Sequence, residues 1–136
     1  MARKIVYAEN FDRLIKLGIL TPDGKLTFQN YMKIENEPYM PLSLDNLGNN
    51  TFSMAHNFIQ NGDLIPDPDM EIRIIPELKM VEALAIQHST GYYRRVYVDE
   101  KRFYPQEKKD QNSFLNMWTK NLLNQGFAEG KVVKNE

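Results

Sequence analysis

A stretch in the middle of the chain, residues 56–71, combines one histidine, an Asn-Gly pair and four acidic residues. Imidazole and carboxylate groups are the side chains that bind divalent cations, transfer protons or contact the basic groups of a partner. Two prolines, Pro66 and Pro68, stiffen the backbone between the acidic residues. The candidate binding residues are therefore His56, Asn61, Gly62, Asp63, Asp67, Asp69 and Glu71.

Three of these carboxylates, Asp63, Asp67 and Asp69, suggest a divalent cation site with His56 nearby, because hard cations need several oxygen ligands. The spacing does not match an EF-hand loop, which requires glycine at its sixth position and glutamate at its twelfth. The alternative, which we favour, is that Asp63 closes an Asx-turn and that the other carboxylates cap turns or face solvent. We therefore expect no metal ion and no cofactor.

Neither histidine belongs to a recognisable catalytic motif. His56 shares the strand parity of Phe52, Met54 and Phe58, so we expect it to point inward as a hydrogen-bonded core residue. His88 comes just before a turn and is expected to be exposed. The chain has no cysteine, no nucleophile elbow and no glycine-rich phosphate loop. We expect a protein without catalytic residues, which is not an enzyme.

A second candidate surface lies in residues 90–109, where six basic residues and three acidic ones alternate with aromatic residues. Basic side chains contact phosphates and aromatic rings stack on bases, so this segment offers a DNA- or RNA-binding alternative. Its candidate residues are Tyr92, Arg94, Arg95, Lys101 and Arg102. Strand alternation sends neighbouring residues to opposite faces, and one of these faces must help form the core. Nucleic acid is therefore the less favoured partner.

The charge balance narrows the class of protein. The chain has 136 residues, enough for one domain, and a formal net charge of −1. That balance argues against a globally basic nucleic-acid binder, and the missing cysteines exclude a disulfide scaffold. The charge is unevenly distributed, because residues 35–77 hold eight acidic residues and one basic residue, while both flanks are mildly basic. We expect this asymmetry to steer the choice of partner.

Hydrophobic periodicity predicts a helix at each end of the chain. Apolar residues recur at helical spacing over residues 6–17, and a second helix is capped by Asp110 or Ser113 and ends at Gly126. Period-two alternation between the helices indicates strands. The predicted fold class is α+β, with an antiparallel, curved sheet of about five strands. Residues 1–127 form the single domain, and residues 128–136 are expected to be a flexible tail.

One segment of the predicted sheet is ambiguous. Residues 79–87 have high helix propensity, yet Ser89-Thr90-Gly91 looks like a hairpin turn, and the residues that follow are aromatic and β-branched. A hairpin needs two strands, so we favour a strand at 79–87 paired with a strand at 92–98.

Several motifs together resemble a known family. Besides His56 and Gly91-Tyr92, they are Tyr39-Met40-Pro41-Leu42, Gln60-Asn61-Gly62-Asp63-Leu64, Asp67-Pro68-Asp69-Met70, Phe114-Leu115-Asn116-Met117-Trp118 and Gln125-Gly126-Phe127. Over roughly residues 25–127 the sequence resembles uncharacterised small proteins and domains carried by bacterial phages, plasmids and conjugative elements. The resemblance implies the hairpin at 79–98 and an accessory role in a mobile element, and it implies no established activity.

These observations lead to an expected function and location. We expect a non-enzymatic accessory protein that binds a host or mobile-element protein, for instance to counter a host defence system. No stretch approaches the roughly 18 consecutive apolar residues of a membrane helix, and no apolar run follows the basic first residues as a secretory signal requires. We therefore expect a cytoplasmic protein without a membrane partner. The oligomeric state stays open.

Overall fold

The chain folds into an antiparallel sheet of seven strands with two α-helices on one face, counted over the residues described below. The computed structural model describes residues 5–91 and 93–135, with only the backbone at 59, 60, 64–66 and 135. The helices are α1 (Val6–Lys16) and α2 (Pro105–Asn124), and the strands are β1 (Tyr31–Glu35), β2 (Leu42–Gly48), β3 (Thr51–Gln60), β4 (Asp63–Ile75), β5 (Met80–Gln87), β6 (Tyr93–Arg95) and β7 (Lys131–Asn135). The α+β fold class is confirmed, and the predicted count of about five strands is close but low.

The strands are connected as a meander with one return. Each of the first six strands pairs with the next, and β7 pairs with β1, so the spatial order is β6-β5-β4-β3-β2-β1-β7. The sequence predicts a flexible tail over 128–136, but residues 131–135 form β7 instead. A short 3₁₀ turn at Phe127–Glu129 directs the chain back towards β1, where Val132 lies opposite Ile34. Five residues are too few for alternation to reveal such a strand.

The core lies between the helices and one face of the central strands. The buried residues of these strands are Phe52, Met54, Met70, Ile72, Ile74, Val81 and Ala83. They pack against Phe11 and Leu14 of α1 and against Leu115, Trp118 and Leu122 of α2. The alternate residues of the same strands point to the opposite face, which has no helix against it in the described part of the chain.

The ambiguous segment is a strand, as the hairpin argument predicts. β5 pairs with β4 on one side and with β6 on the other, and both helices contact it. A bulge at Leu84 interrupts its pairing with β4. The backbone N–H of Ala83, beside this bulge, donates to Oδ1 of Asn112 on α2, at 2.9 Å. Pairing on two sides and this buried hydrogen bond outweigh the helix propensity of the segment.

The helix boundaries are partly as predicted. α1 covers 6–16, close to the predicted 6–17, and α2 is followed by Gly126 in the left-handed conformation with φ 88°, as expected. The start of α2 is different, because the helix begins at Pro105 rather than after a cap at Asp110 or Ser113. Proline suits the first helical position, since its φ is already helical and it lacks the N–H that would stay unpaired there.

Candidate functional site

The β3–β4 hairpin holds every residue of the first predicted site, but its geometry separates them. Asn61 and Gly62 form the turn at its tip, with φ of 52° and 83°, and both are exposed. Asp63 is exposed next to them at the start of β4. Two consecutive residues with positive φ are what an Asn-Gly hairpin turn requires. These residues therefore form the turn and stand apart from the remaining candidates.

Asp67 fastens β4 to the turn between β5 and β6. Its Oδ2 accepts a hydrogen bond of 2.7 Å from Ser89, and its Oδ1 lies 3.3 Å from Nδ1 of His88. Burial acts to raise the pKa of Asp67, but these hydrogen bonds outweigh it and hold the pKa below the usual range. His88 was expected to be exposed, yet it is partly covered because it also contacts Phe114 edge-on. Asp67 thus acts as a structural anchor at the end of this hairpin.

His56 lies on the helix side of the sheet, as its strand parity predicts. Its ring centroid is 5.5 Å from that of Trp118 and 5.7 Å from that of Phe127. Nδ1 lies 3.3 Å from the backbone oxygen of Pro41. Burial lowers the pKa of His56, and the backbone oxygens of Pro41 and Met40 offset this only in part. The neutral imidazole is therefore the favoured form in the folded protein.

The last two candidates lie on the sheet face that has no helix against it. Asp69 and Glu71 of β4 share this face with Asp45 of β2. The register places Ser53 of β3 opposite both Asp45 and Glu71, and Ala55 opposite Asp69. Because neighbouring strands are about 4.8 Å apart, the backbones at Asp45 and Glu71 are roughly 10 Å apart. We call Asp45, Asp69 and Glu71 the open-face triad.

The charges of the open-face triad are not compensated by cations. Burial raises the pKa of Asp69, and the charges of Glu71 and Asp45 raise it further. None of the three carboxylates forms a salt bridge with a described residue. The nearest arginine along β4, Arg73, is engaged by Glu82 instead. The triad is therefore suited to receive a basic group from outside the chain.

The second predicted surface has a mixed charge in the structure. Arg94 and Arg95 are both exposed on β6, where alternation sends their side chains to opposite faces. A cavity of about 450 Å³ lies beside Arg95, and Glu71 and Glu100 line it as well. Tyr92 lies outside the described residues. Acidic side chains therefore stand among the basic ones that were expected to contact phosphates.

Lys101 and Arg102 belong to a turn that an acidic residue closes. Both backbone N–H groups donate to Oδ1 of Asp99 at 2.9 Å, and Nε of Arg102 donates to Oδ2 at 2.9 Å. These contacts lower the pKa of Asp99, the hydrogen bond from the Arg102 side chain most of all. The charge of Arg102 is therefore engaged within the turn.

Two cavities along α2 were not predicted. The smaller, about 160 Å³, is lined by Glu107, Asp110, Gln111 and Phe114 of α2 together with Ile86 and His88. The larger, about 320 Å³, has Phe114 and Trp118 in its wall, and its other lining residues include Tyr39, Met40, His56 and Met117. Trp118 belongs to the apolar stripe of a helix, which indicates a core position from sequence alone. The sequence carries no signal that Gln111 is buried in the same wall.

These features define an α+β domain whose antiparallel sheet has helices on one face and an acidic cluster on the other. Residues 9–128 match a family described as a domain of unknown function (DUF6908), and the chain belongs to that family. This confirms the resemblance to an uncharacterised domain family. No curated protein and no solved structure matches the chain. Over the described residues, no helix has the length and apolar composition needed to cross a bilayer.

Proposed function

We propose that this chain is a non-enzymatic accessory protein of a bacterial phage, plasmid or conjugative element, and that it acts in the cytoplasm by binding another protein. The observation that carries the binding role is the open-face triad on a sheet face without a helix. The mobile-element setting rests on the sequence resemblance. A host defence protein with a basic groove is the kind of partner that such a surface suits.

The electrostatics of the triad support a basic partner. Each of the three carboxylates repels the others, and the raised pKa of Asp69 records that repulsion. A lysine or arginine placed between them would relieve it and would form charge-assisted hydrogen bonds. The floor of this face carries the short side chains of Ser53 and Ala55, which leave room for a partner to approach. Complementary charge of this kind raises association rates and selects partners.

The nucleic-acid alternative has weaker support. Its basic residues share their surroundings with Glu71, Asp99 and Glu100, which would repel phosphates. A protein that relies on phosphate contacts needs an excess of basic charge at the contact surface. We therefore keep protein binding as the proposal and let the experiment distinguish the two.

The test is affinity capture from a nuclease-treated bacterial lysate. The bait is either the unmodified protein or a variant carrying Asp45→Asn, Asp69→Asn and Glu71→Gln. We expect the unmodified protein to retain a discrete partner with a basic surface, and we expect the triple variant to lose it. Binding should weaken with rising salt, because the contact is electrostatic.

The matched control removes the same number of charges at exposed sites elsewhere, with Asp23→Asn, Glu37→Gln and Glu129→Gln. This control should retain the partner. Equal retention by the open-face variant would contradict the proposal, as would a partner that disappears when nucleic acid is digested.

A further inference from the structure

Two buried polar atoms on α2 have no hydrogen-bond partner among the described residues. They are Oε1 of Gln111 and Nε1 of Trp118. Both residues are more than nine-tenths buried, with 2% and 5% of their surfaces exposed. Buried polar groups are nearly always paired, so an unpaired one calls for an explanation. Gln111 lines the smaller cavity on α2 and Trp118 lines the larger, so a bound group could pair with each.

The smaller cavity offers hydrogen-bond acceptors and calls for a donor. The amide nitrogen of Gln111 already donates to the backbone oxygen of Arg94 and to Glu107, so its oxygen is what remains. Glu107 and Asp110 add two carboxylates to the lining, and neither forms a salt bridge with a described residue. Phe114 supplies an apolar wall. This combination fits one lysine or arginine side chain, whose stem packs on apolar surface while its charged end meets the oxygens.

The larger cavity offers aromatic and apolar walls and one donor. Tyr39, Met40 and Met117 line it and are each more than 40% exposed, so they form an apolar rim. His56 lines the inner side, and burial favours its neutral form. The indole N–H of Trp118 is the unpaired donor of this cavity. An apolar side chain whose own backbone carbonyl reaches Trp118 would satisfy both features.

Phe114 lines both cavities, so the two form one cleft along α2. Gln111 and Trp118 are seven residues apart on this helix, which corresponds to about 10 Å at a rise of about 1.5 Å per residue. An extended chain covers that distance in about three residues. We propose that this Phe114 cleft binds an extended segment of a partner protein, with a lysine or arginine side chain in the smaller cavity and an apolar side chain three residues away in the larger.

The Phe114 cleft is a second site and does not depend on the open-face triad. The triad lies on the sheet face without a helix, whereas the cleft runs along α2 on the other side. Charge complementarity selects the occupant, because the smaller cavity contains two carboxylates and an amide oxygen but no free donor from Gln111. A failure of the triad experiment would therefore leave this proposal standing, and the reverse also holds.

The test is an NMR titration of the full chain labelled with ¹⁵N. The chain has one tryptophan, so a single indole N–H signal reports on Trp118. The probe is a capped tetrapeptide with lysine first, leucine fourth and alanine between them, and the comparison peptide has norleucine in place of lysine. We expect a saturable shift of the indole signal and of the Gln111 side-chain amide with the lysine peptide. The norleucine peptide should bind at least about tenfold more weakly.

Variants assign the effect to the cleft. Glu107→Gln combined with Asp110→Asn should remove the preference for lysine, while Asp23→Asn combined with Glu129→Gln should keep it. Circular dichroism confirms that each variant is folded. The proposal is overturned if no saturable shift occurs up to about 10 mM peptide, where even a millimolar site would fill. It is equally overturned if both peptides bind alike, or if the cleft variant keeps the preference for lysine.

Discussion

Arg73 on β4 and Glu82 on β5 are direct cross-strand partners, and Nε of Arg73 lies 2.8 Å from Oε1 of Glu82. The other carboxylate oxygen of Glu82 accepts a hydrogen bond of 2.8 Å from the hydroxyl of Tyr97, whose ring lies below the Arg73 guanidinium at 5.4 Å. Burial raises the pKa of Tyr97, and the hydrogen bond to Glu82 raises it further. Burial opposes the charge of Arg73, but Glu82 and Tyr97 outweigh it and raise the pKa of Arg73. This contact holds the segment after β6 against the sheet.

Replacing Glu82 should destabilise the fold. Glu82→Ala removes the acceptor of the Arg73 and Tyr97 hydrogen bonds at a buried position. We expect a loss of about 1–2 kcal/mol in the free energy of unfolding, less than a fully buried pair would lose, because Arg73 is partly exposed to water. Urea denaturation measures it. The control is Arg102→Ala, which breaks an exposed pair with Asp99 and should change stability by less than about 0.5 kcal/mol. Equal effects of the two substitutions would contradict this assignment.

Neutralising Asp69 should stabilise the protein at neutral pH. Burial and the charges of Glu71 and Asp45 raise its pKa in the folded state, so ionised Asp69 disfavours folding. We expect Asp69→Asn to increase the unfolding free energy by about 0.5 kcal/mol, since water screens a half-buried group. The gain should be full above the raised pKa and should vanish as the pH falls below the ordinary value of 3.8. Thermal denaturation across this pH range measures it.

The exposed Asp63 provides the control for that prediction. It lies at the hairpin tip, apart from the open-face triad, and Asp63→Asn should leave the melting temperature nearly unchanged. A stabilisation of the Asp69 variant that persists at the lowest pH would show that removing the charge is not its cause. The same variant also weakens the proposed contact surface, so a gain in stability and a loss of binding are expected together.

Local patterns in the sequence were sufficient to predict most of the fold. Apolar spacing with a following glycine predicts both helices, and Asn61-Gly62 predicts the hairpin between the two longest strands. Residues 79–87 show what propensity alone misses, because a strand held between two neighbours does not need strand-forming residues. The last strand was missed for a different reason. Its partner is β1, about a hundred residues earlier, and no local pattern encodes such a pairing.

The candidate site could be predicted only in part, because closeness in sequence was taken as closeness in space. A bulge between Ala55 and Asn57 separates the hairpin tip from the rest of β4. Along β4, Asp67 is directed to the turn that contains His88, whereas Asp69 reaches the open face. Asp45 joins the triad from a different strand, so no motif of consecutive residues contains it. The cleft along α2 likewise depends on packing between distant segments.

His56 should make the stability of the protein depend on pH. Burial lowers its pKa in the folded state, so the unfolded chain binds a proton more readily. Stability should therefore be unaffected by this group above the ordinary pKa of 6.5 and should fall as the pH drops below it. His56→Phe keeps a ring beside Trp118 and Phe127 and should flatten that dependence. Urea midpoints measured at about pH 7.5 and about pH 5 test this. His88→Asn is the control, and an equal flattening in that variant would contradict the role of His56.

Gly130 should be essential for the pairing of β7 with β1. A Cβ atom at this position would lie 2.7 Å from Cγ2 of Ile34 and 2.9 Å from the backbone oxygen of Glu35, and the backbone oxygen would have to move. We expect Gly130→Ala to cost about 1–3 kcal/mol and to increase hydrogen exchange in β7 and β1, with the central strands unchanged. Ala128→Ser, at an exposed position of the preceding turn, is the control. Unchanged exchange in β1 would show that β7 does not protect this edge of the sheet.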